Sequence, residues 1–370
     1  MALPAANSDN RDVKTLRLTV DPAHLDAPSA REALARAARI LREGGLVALP
    51  TETVYGLGAN ALDAAAVARI FAAKQRPSWD PVIVHIAGPV AQNPMLQPLV
   101  TSLPPAAEKL MAAFWPGPLT LLVPRSSAVP DAVTAGRPLV GIRMPAHPVA
   151  FELIRLAGVP VAAPSANTFG HISPTTAGHV LEDLDGRIDA ILDAGPAQHG
   201  VESTVLDPCQ SPMVIYRPGA ITADQIRAVA GPVELFRSTE PLRTTPREAL
   251  PSPGVGLRHY APRARLVLLE APLDSLPARM AEAATRYAGL RIGLMLPAEL
   301  ADTPLDPVLR AAAVFPWGHL AAPQELAQTL YAGLRSLDAQ GCAVIICPLP
   351  PSSGVGTAVR DRLRKAAHPD

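Results

Sequence analysis

The sequence has few aromatic residues, few cysteines and no excess of either charge, and each shortage excludes a class of protein. Only 4% of the 370 residues are aromatic whereas 48% are hydrophobic, so any core has to be built mainly from Ala, Val, Leu and Ile. The 33 basic residues balance the 33 acidic ones, and this is not the basic excess expected of a dedicated nucleic-acid-binding protein. Local clusters of cations could still bind phosphate.

Other absences concern metals, export and membranes. Cys209, Cys342 and Cys347 lie in no CxxC or Cys/His spacing, so we expect no structural zinc site and predict three buried thiols in a reducing cytosol. The N-terminus lacks the basic-then-apolar pattern of a signal peptide, and no apolar run approaches about 18 residues. We therefore expect no metal site within the protein, no membrane association and a cytoplasmic location.

The order of predicted helices and strands divides the chain into two α/β domains. Over 14–235, strand-like apolar runs and helical patterns mix without strict alternation, which predicts a mixed sheet. A stretch rich in Pro, Gly and Ser at 236–263 predicts a linker between the domains. A regular βαβ series over 264–370 predicts a small, doubly wound parallel sheet.

The stretch PTETVYGLGANA (50–61) is the first candidate for ligand binding. It contains GxGxxA, but PTETVY separates these glycines from the preceding strand, whereas a dinucleotide fingerprint needs glycine at the first βα turn. We predict a flexible loop that offers backbone N–H groups and the hydroxyls of Thr51, Thr53 and Tyr55 to a ligand. A purely structural turn is the alternative.

Cations and hydroxyls recur at further predicted turns. Lys74 and Arg76 end a predicted helix, where they either complement the helix dipole or bind a polyphosphate. No GxxxxGK[ST] motif occurs, so a P-loop ATPase is excluded. The turns APSAN and HGVESTV carry hydroxyls, and Arg143 and Arg217 end predicted strands. Together these turns predict an α/β enzyme that binds phosphate and carboxylate without P-loop geometry.

These stretches also carry a family resemblance. PTETVYGLGANA, KQRP…PVIVHI, WPGPLT, RMPAHP, APSAN…SPT, GVESTV and RPG closely resemble, in this order, the YrdC-like domain of L-threonylcarbamoyladenylate synthases. SPGVGLRHYAP and GVGTAVRDRLRKAA resemble the long, two-domain form of that family, so the resemblance covers residues 29–367. It implies a twisted mixed sheet with a concave, positively charged cavity, followed by a smaller Rossmann-like domain.

The resemblance implies a nucleotidyltransferase that joins L-threonine, bicarbonate and ATP into L-threonylcarbamoyladenylate and releases pyrophosphate. The product would serve the formation of N6-threonylcarbamoyladenosine (t6A) at position 37 of tRNAs that read ANN codons. The implied cofactor is Mg²⁺ with ATP, without a permanently bound group, and the implied partner is a threonylcarbamoyl transferase that acts on tRNA. Weak direct binding of tRNA, the oligomeric state and the role of the second domain stay open.

The resemblance also implies roles for individual residues. Lys74 and Arg76 are the expected catalytic cations, and both are expected to contact the ATP phosphates. The other expected ATP contacts are Asp80, Ser165, Ser173, Arg217 and Tyr260. The expected threonine contacts are Thr53, His85, Arg143 and Ser203. Tyr260 would come from the linker, which is expected to act as a lid over the active site.

Three departures and two alternatives accompany the resemblance, and one departure is Arg360-Asp361 in the tail, where Asn-Arg is more usual. Leu139 stands where relatives often carry threonine, and Asp80 stands where asparagine or lysine is frequent. One alternative is the carbamoyl-adenylate-forming module of a carbamoyltransferase, although no metal-binding domain of that kind is evident. The other is a non-catalytic RNA-binding module, against which the zero net charge argues.

Overall fold

The computed structural model describes residues 14–236, 250, 252, 255, 260–304 and 306–367. Within these residues, the first sheet contains β1 (Leu16–Thr19), β2 (Val47–Pro50), β3 (Tyr55–Asn60), β4 (Val84–His85), β5 (Leu119–Pro124), β6 (Leu139–Arg143), β7 (Val161–Ala162), β8 (Ala190–Asp193), β9 (Thr204–Asp207), β10 (Met213–Arg217) and β11 (Val233–Leu235). Its order is β1-β8-β2-β3-β7-β4-β6-β5-β9-β10-β11. Parallel and antiparallel neighbours alternate irregularly, so the predicted mixed sheet is confirmed.

Helices cover both faces of the first sheet. They are α1 (Pro28–Arg42), α2 (Ala64–Lys74), α3 (Pro105–Phe114), α4 (Asp131–Thr134), α5 (Pro148–Ala157), α6 (Ala177–Leu184) and α7 (Ala223–Ala230). α2 begins where the Asp63 side chain accepts hydrogen bonds from two backbone N–H groups, and it ends at Gln75 in the left-handed conformation. This end places Lys74 beside the turn that follows β7, where its ammonium donates to the Ser165 carbonyl.

The second sheet contains β12 (Arg265–Leu269), β13 (Ile292–Pro297), β14 (Ala313–Gly318) and β15 (Val344–Pro348), and its helices are α8 (Leu276–Thr285), α9 (Pro323–Ala339) and α10 (Gly356–Ala366). Its order is β12-β15-β13-β14, and every neighbouring pair is parallel. The predicted doubly wound parallel sheet is therefore confirmed. None of the helices in the described part of the chain is long and apolar enough to cross a membrane.

One hydrophobic cluster joins the two sheets. Val54, Ile172 and Val201 from the first half of the chain pack in the same buried cluster as Trp317 and Leu330. Each fully buried side chain of this kind stabilises the fold by about 1.5–3 kcal/mol. The two sheets therefore share part of their core.

Gly200 permits a close backbone approach between the segment before Glu202 and α9. Its φ is +69°, and a Cβ there would lie 2.2 Å from the Ala327 carbonyl oxygen on α9. No side chain fits into that space. The segment that leads to Glu202 and Ser203 is consequently in backbone contact with α9.

Some local predictions are wrong. Tyr55–Asn60 is a regular strand paired with β2 and not a flexible loop. Glycine is rare in strands, but here Gly58 leaves room for Leu49 and Val161, whose methyl groups would lie 2.9 Å from an added Cβ.

The prediction of three buried thiols is also wrong in part. Cys342 and Cys347 are buried as expected, but Cys209 is exposed. Cys209 lies in the turn between β9 and β10, where the chain reverses at the surface.

The predicted linker, 236–263, falls largely outside the described residues. Four of the described residues of this stretch are buried: Leu250 is 4% exposed, Ser252 0%, Val255 3% and Tyr260 5%. The backbone N–H of Leu250 donates to the Trp79 carbonyl, 3.1 Å away. These residues therefore pack against the body of the protein, and the role of the linker as a lid stays a prediction.

Candidate active site

A cavity that is partly open to solvent lies beside the ends of three strands of the first sheet. His85, Arg143 and Arg217 are the last residues of β4, β6 and β10 and line it together. Eight of the residues expected in the site line the cavity: Thr53, Arg76, His85, Arg143, Ser165, Ser203, Arg217 and Tyr260. Three arginines and one carboxylate, Glu202, are among the lining residues, so the cavity is suited to anions.

The first set of charged groups, which we name the Arg143 cluster, comprises Glu52, Thr53, His85 and Arg143. Arg143 Nη2 lies 2.6 Å from Glu52 Oε1, and Nη1 donates to Thr53 Oγ1 at 2.9 Å. Arg143 Nε donates to the Gly117 carbonyl at 3.2 Å. His85 and Arg143 are direct partners in the parallel register of β4 and β6. The guanidinium is thus fixed from three sides.

Burial controls the ionisation of the Arg143 cluster. Burial opposes the charge on Glu52, but the charge and hydrogen bond of Arg143 outweigh it, so the pKa of Glu52 lies below its usual value. Burial and the Arg143 charge lower the pKa of His85 to about 3. The imidazole is therefore neutral at pH 7, and it can both donate and accept one hydrogen bond.

The second set, which we name the Arg217 cluster, comprises Arg76, Glu202, Ser203, Arg217 and Tyr260. Arg217 Nε donates to the Ser203 carbonyl and Nη2 donates to Ser203 Oγ, both at 3.1 Å. The antiparallel pairing of β9 with β10 brings these two residues together. Arg217 and Ser203 therefore line the same part of the cavity and offer hydrogen-bond donors there.

Glu202 is held by residues from distant parts of the chain. Ser173 Oγ donates to Glu202 Oε1 at 2.5 Å, and the Tyr331 hydroxyl lies 2.9 Å from Oε2. Arg362 Nε donates to Oε2 at 2.7 Å. Burial opposes the charge of this carboxylate, but Arg362 and Arg217 outweigh it and lower the pKa of Glu202.

Tyr260 forms another part of the cavity wall. Its backbone φ is +64°, in the left-handed region that residues with a Cβ rarely adopt. Its ring stacks on Tyr331 with centroids 5.8 Å apart, and Arg362 Cζ lies 5.2 Å from the Tyr260 centroid. Burial raises the pKa of Tyr260 to about 12, so the phenol stays protonated.

Lys74 lies behind the cavity wall, and its expected contact with the ATP phosphates stays a prediction. It is fully buried, and its ammonium donates to the carbonyls of Ser165 (2.6 Å) and Asn167 and to Asn167 Oδ1 at 3.5 Å. Burial and the nearby Arg76 charge lower the pKa of Lys74 well below its usual value. Lys74 therefore fixes the turn that carries Ser165, and it is not among the residues that line the cavity.

Arg76 lines the cavity, whereas Asp80 lies behind it. Arg76 Nη2 is 3.0 Å from Asp80 Oδ2, and Nε and Nη2 donate to the carbonyls of Asp80 and Pro81. Arg76 Cζ also lies 5.8 Å from the centroid of Phe169. Burial raises the pKa of Asp80 despite the neighbouring arginine. Asp80 and Ser173 thus contact other side chains of the site and do not line the cavity.

Sequence reasoning missed four residues of the site: Glu52, Glu202, Tyr331 and Arg362. Glu52 and Glu202 stand directly beside predicted hydroxyls in PTET and GVEST, so an acidic residue inside a hydroxyl-rich motif was an available signal. Arg362 lies in the family-like stretch GVGTAVRDRLRKAA, but neither Tyr331 nor Arg362 has a local signal for contact with Glu202, from which they lie 129 and 160 residues away in the chain.

No protein-built metal site is evident. Among the described residues, no group of three or more His, Cys, Asp and Glu side chains could hold a metal ion. The carboxylates nearest the cavity, Glu52, Asp80 and Glu202, each lie within 3.0 Å of an arginine nitrogen. Their charge is thus already neutralised by the protein.

Comparison with known proteins gives matches over nearly the whole chain. A family model described as telomere recombination matches residues 39–219, and one described as threonylcarbamoyl-AMP synthase, C-terminal domain, matches 221–368. The second match begins before α7 and β11, earlier than the predicted boundary of the C-terminal domain.

Curated relatives and a solved structure agree with these matches. The threonylcarbamoyl-AMP synthase of Pyrococcus abyssi is 42% identical over 90% of this chain and 93% of its own length. The enzyme of that name from Bacillus subtilis is 45% identical over 90% and 92%. The crystal structure of Pyrococcus abyssi Sua5 complexed with L-threonine superposes with a TM-score of 0.85 at 40% identity, covering 95% of this chain and 98% of that one.

Proposed function

This chain belongs to the threonylcarbamoyl-AMP synthase family, and from that premise we propose that it joins L-threonine, bicarbonate and ATP into threonylcarbamoyl-AMP and pyrophosphate. One observation carries the proposal: a single cavity contains two separate arginine clusters. A substrate pair that brings a carboxylate and a polyphosphate to one place needs two such clusters. The solved relative with bound L-threonine supports the same assignment.

The Arg143 cluster is the proposed threonine site. Arg143 would bind the substrate carboxylate, because a planar guanidinium can donate two parallel hydrogen bonds to a carboxylate. Glu52 and the Gly117 carbonyl already hold the guanidinium in place. Thr53 and the neutral His85 would contact the amine or hydroxyl of threonine, and Ser203 would contact it from the other cluster.

The Arg217 cluster is the proposed ATP site. Arg76 and Arg217 would neutralise the phosphates, and Ser165 and Tyr260 would contact the nucleotide. Lys74, Asp80 and Ser173 would act as positioning residues behind them: Lys74 holds the turn of Ser165, Asp80 holds Arg76, and Ser173 holds Glu202. Their hydrogen bonds and ion pairs would hold the contacting side chains in place, which reduces the entropy lost on binding.

The proposed chemistry proceeds in two bond-forming steps. The threonine amine attacks bicarbonate, a C–N bond forms and water leaves, giving an N-carboxylate. A carboxylate oxygen then attacks the α-phosphorus of ATP, the bond to the β-phosphate bridging oxygen breaks, and pyrophosphate leaves. The protein would contribute mainly orientation and fixed positive charge. His85 is an unsuitable general base, because burial and Arg143 lower its pKa to about 3.

Mg²⁺ is proposed to arrive with ATP. The residues present do not fit a resident metal site, since the carboxylates near the cavity pair with arginines. Mg²⁺ is commonly held by substrate phosphates and water with few protein ligands. We therefore assign no step to a protein-bound metal.

The product is proposed to pass to a transferase that places the threonylcarbamoyl group on tRNA, giving t6A. Threonylcarbamoyl-AMP is a mixed anhydride of a carbamate and a phosphate, so a reaction that transfers its acyl group to an amine must consume it. This proposal places the protein in the cytoplasm, together with ATP and tRNA. The balanced net charge of the chain gives no support to strong tRNA binding by this protein alone.

A product assay tests the proposed function. The purified protein would be incubated with ATP, Mg²⁺ and ¹³C-bicarbonate, with and without L-threonine, and the adenylate identified by mass spectrometry. We expect threonine-dependent release of pyrophosphate and a threonylcarbamoyl-AMP that carries the label. Release with carbamoyl phosphate in place of threonine would assign the protein to carbamoyl transfer, and no adenylate with either would overturn the proposal.

A further inference from the structure

We propose that Arg362 and Tyr331, from the C-terminal part of the chain, are positioning residues that complete the ATP side of the cavity by fixing Glu202 and Tyr260. The inference rests on the proposed function and assigns a role to the second sheet. Tyr331 lies on α9 and Arg362 on α10. Both side chains are fully buried and lie in contact with groups of the Arg217 cluster.

Arg362 holds two backbone segments of the site at once. Nε donates to Glu202 Oε2 at 2.7 Å, and Nη2 donates to the Pro218 carbonyl at 3.0 Å. Glu202 precedes Ser203, and Pro218 follows Arg217. Arg362 therefore connects the residues that flank the Ser203–Arg217 contact, and its third nitrogen, Nη1, is held by Asp361 at 2.5 Å.

Tyr331 acts on the same two groups by different contacts. Its hydroxyl lies 2.9 and 3.1 Å from the two carboxylate oxygens of Glu202. Its ring stacks on Tyr260 at an interplanar angle of 25°. A left-handed backbone is unfavourable for an L-residue, and contacts with Tyr331 and Arg362 help to hold Tyr260 in that conformation.

The charges of Glu202, Arg217 and Arg362 explain why the support should affect the binding of ATP. Glu202 lies close enough to Arg217 for that cation to lower its pKa. With Arg362 as its partner, Glu202 is neutralised, and Arg217 remains bound to Ser203 and directed to the cavity. Without Arg362, the unpaired buried carboxylate would attract Arg217 and oppose the binding of phosphate.

On the proposed threonine side, Ser203 belongs to the supported segment, but the main carboxylate contact, Arg143, does not depend on this support. The hydrogen-bond and ion-pair partners of Arg143 are Glu52, Thr53 and Gly117, all of them in the first sheet's part of the chain. The inference therefore predicts a selective effect: changes at Arg362 or Tyr331 should weaken ATP binding much more than threonine binding. A purely structural role would weaken both.

The experiment measures two dissociation constants for each variant of the full chain. Calorimetric titrations would use a non-hydrolysable ATP analogue with Mg²⁺ and, separately, L-threonine. Lysine lacks the planar guanidinium that lets Arg362 donate hydrogen bonds to both Glu202 and the Pro218 carbonyl. For Arg362→Lys we therefore expect the Kd of the ATP analogue to rise about 10-fold or more. For Tyr331→Phe, which keeps the stacked ring, we expect a rise of about 3- to 10-fold. The Kd of threonine should stay within about 2-fold in both, since a change of that size lies within ordinary mutational scatter.

Arg335→Gln is the matched control. Arg335 lies one helical turn after Tyr331 on α9, and it also contacts the first half of the chain, at Asp183 (2.9 Å) and the Ile172 carbonyl. It tests general contact between the two sheets, and we expect its ATP-analogue Kd to match that of the unchanged protein. An equal rise in Arg335→Gln, or a parallel loss of threonine affinity in Arg362→Lys and Tyr331→Phe, would overturn the inference.

The controls also separate this inference from the proposed function. If the unchanged protein binds both ligands but neither variant shows a selective loss, the inference is wrong and the proposed function stands. If the unchanged protein binds neither ligand, the proposed function is wrong and the inference with it.

Discussion

The Arg143 cluster and the Arg217 cluster share one cavity but are held in different ways. Arg143 is fixed by Glu52, Thr53 and Gly117, which all belong to the first sheet's part of the chain. The Arg217 cluster also depends on Tyr331 and Arg362, which belong to helices of the second sheet. One side of the cavity can therefore form within one domain, whereas the other side requires both.

The two clusters also use their buried carboxylates differently. Glu52 pairs directly with Arg143, which lines the cavity, so part of the Arg143 charge is already neutralised by the protein. Glu202 is paired with a second arginine, Arg362, behind the cavity wall. Arg217 therefore keeps more of its positive charge for a ligand, as a polyphosphate site requires.

Among the substitutions considered, Gly200→Ala should disturb the Arg217 cluster most strongly. A methyl group there would overlap the Ala327 carbonyl on α9 and push the Glu202 segment away from Tyr331 and Arg362. Overpacking and left-handed strain together should cost roughly 2 to 5 kcal/mol. Thermal unfolding and titration with the ATP analogue would measure the result, and we expect a lower Tm and a greater loss of ATP than of threonine affinity.

Gly158→Ala is the control for this prediction. Gly158 has nearly the same φ, +68°, but a Cβ there would meet nothing within 4 Å. Its substitution should therefore show only the left-handed strain of about 1–2 kcal/mol. Equal destabilisation by the two substitutions would contradict the account of close packing against α9.

Arg143→Lys should act on the other cluster alone. Lysine keeps the charge but cannot donate two parallel hydrogen bonds while it also reaches Glu52 and Thr53. Loss of a charge-assisted hydrogen bond should raise the KM for threonine by about 10- to 100-fold, with the KM for ATP nearly unchanged. Steady-state kinetics with each substrate varied in turn would measure this, and an equal rise in both values would contradict the separation of the clusters.

Both clusters should contribute to acid sensitivity in the same direction. Glu52 and Glu202 have pKa values below their usual range in the folded protein, whereas an unfolded glutamate titrates near 4.3. The unfolded chain therefore binds more protons in this range. The stability that these groups contribute is present above pH ~4.3 and is lost as the pH falls through their folded pKa values, by up to about 1.4 kcal/mol per pH unit for each group.

Calorimetric Tm values between pH 6 and pH 3 would check the acid sensitivity. We expect the Tm to fall below pH ~4.3 and to fall less steeply in Glu52→Gln, which has no carboxylate to protonate. A Tm of Glu52→Gln that falls as steeply as that of the unchanged protein would contradict the assigned pKa direction.

Leu139→Thr should have the smallest effect because it touches neither cluster. Leu139 is not among the residues that line the cavity, and it packs against a small buried cluster of Ile83, Leu122 and Val205. We expect a loss of about 1 kcal/mol in stability and no change in ATP affinity. Leu139→Val serves as the control for lost apolar area, and tighter ATP binding in the threonine variant alone would show that a hydroxyl at this position reaches the nucleotide.

The sequence predicts the parts of this molecule whose signals are local. Apolar runs bounded by turns were sufficient for the mixed sheet and for the parallel βαβ series, and ordered motifs were sufficient for the cavity residues at strand ends. Tyr55–Asn60 was missed because its glycines lower strand propensity, although the pairing with β2 overrides it. The sequence predicts Lys74 as an ATP-phosphate contact from its position in the chain, but the burial of its side chain cannot be read from the sequence.

The contacts from the second sheet could not be predicted at all. Arg362 lies in a basic, amphipathic helix whose exposed and buried arginines look alike in the sequence. Only the packing of α9 and α10 against Val54, Ile172 and Val201 brings Arg362 to Glu202. Pairings of this kind arise from tertiary structure, and a single sequence carries no periodic signal for them.

A crystal structure of the protein with L-threonine and a non-hydrolysable ATP analogue would test the division of the cavity most directly. The account predicts the threonine carboxylate within hydrogen-bond distance of Arg143, and the phosphates of the analogue beside Arg76 and Arg217 with Tyr260 against the nucleotide. Threonine bound at Arg217, or a nucleotide bound away from Arg76, Arg217 and Tyr260, would contradict it.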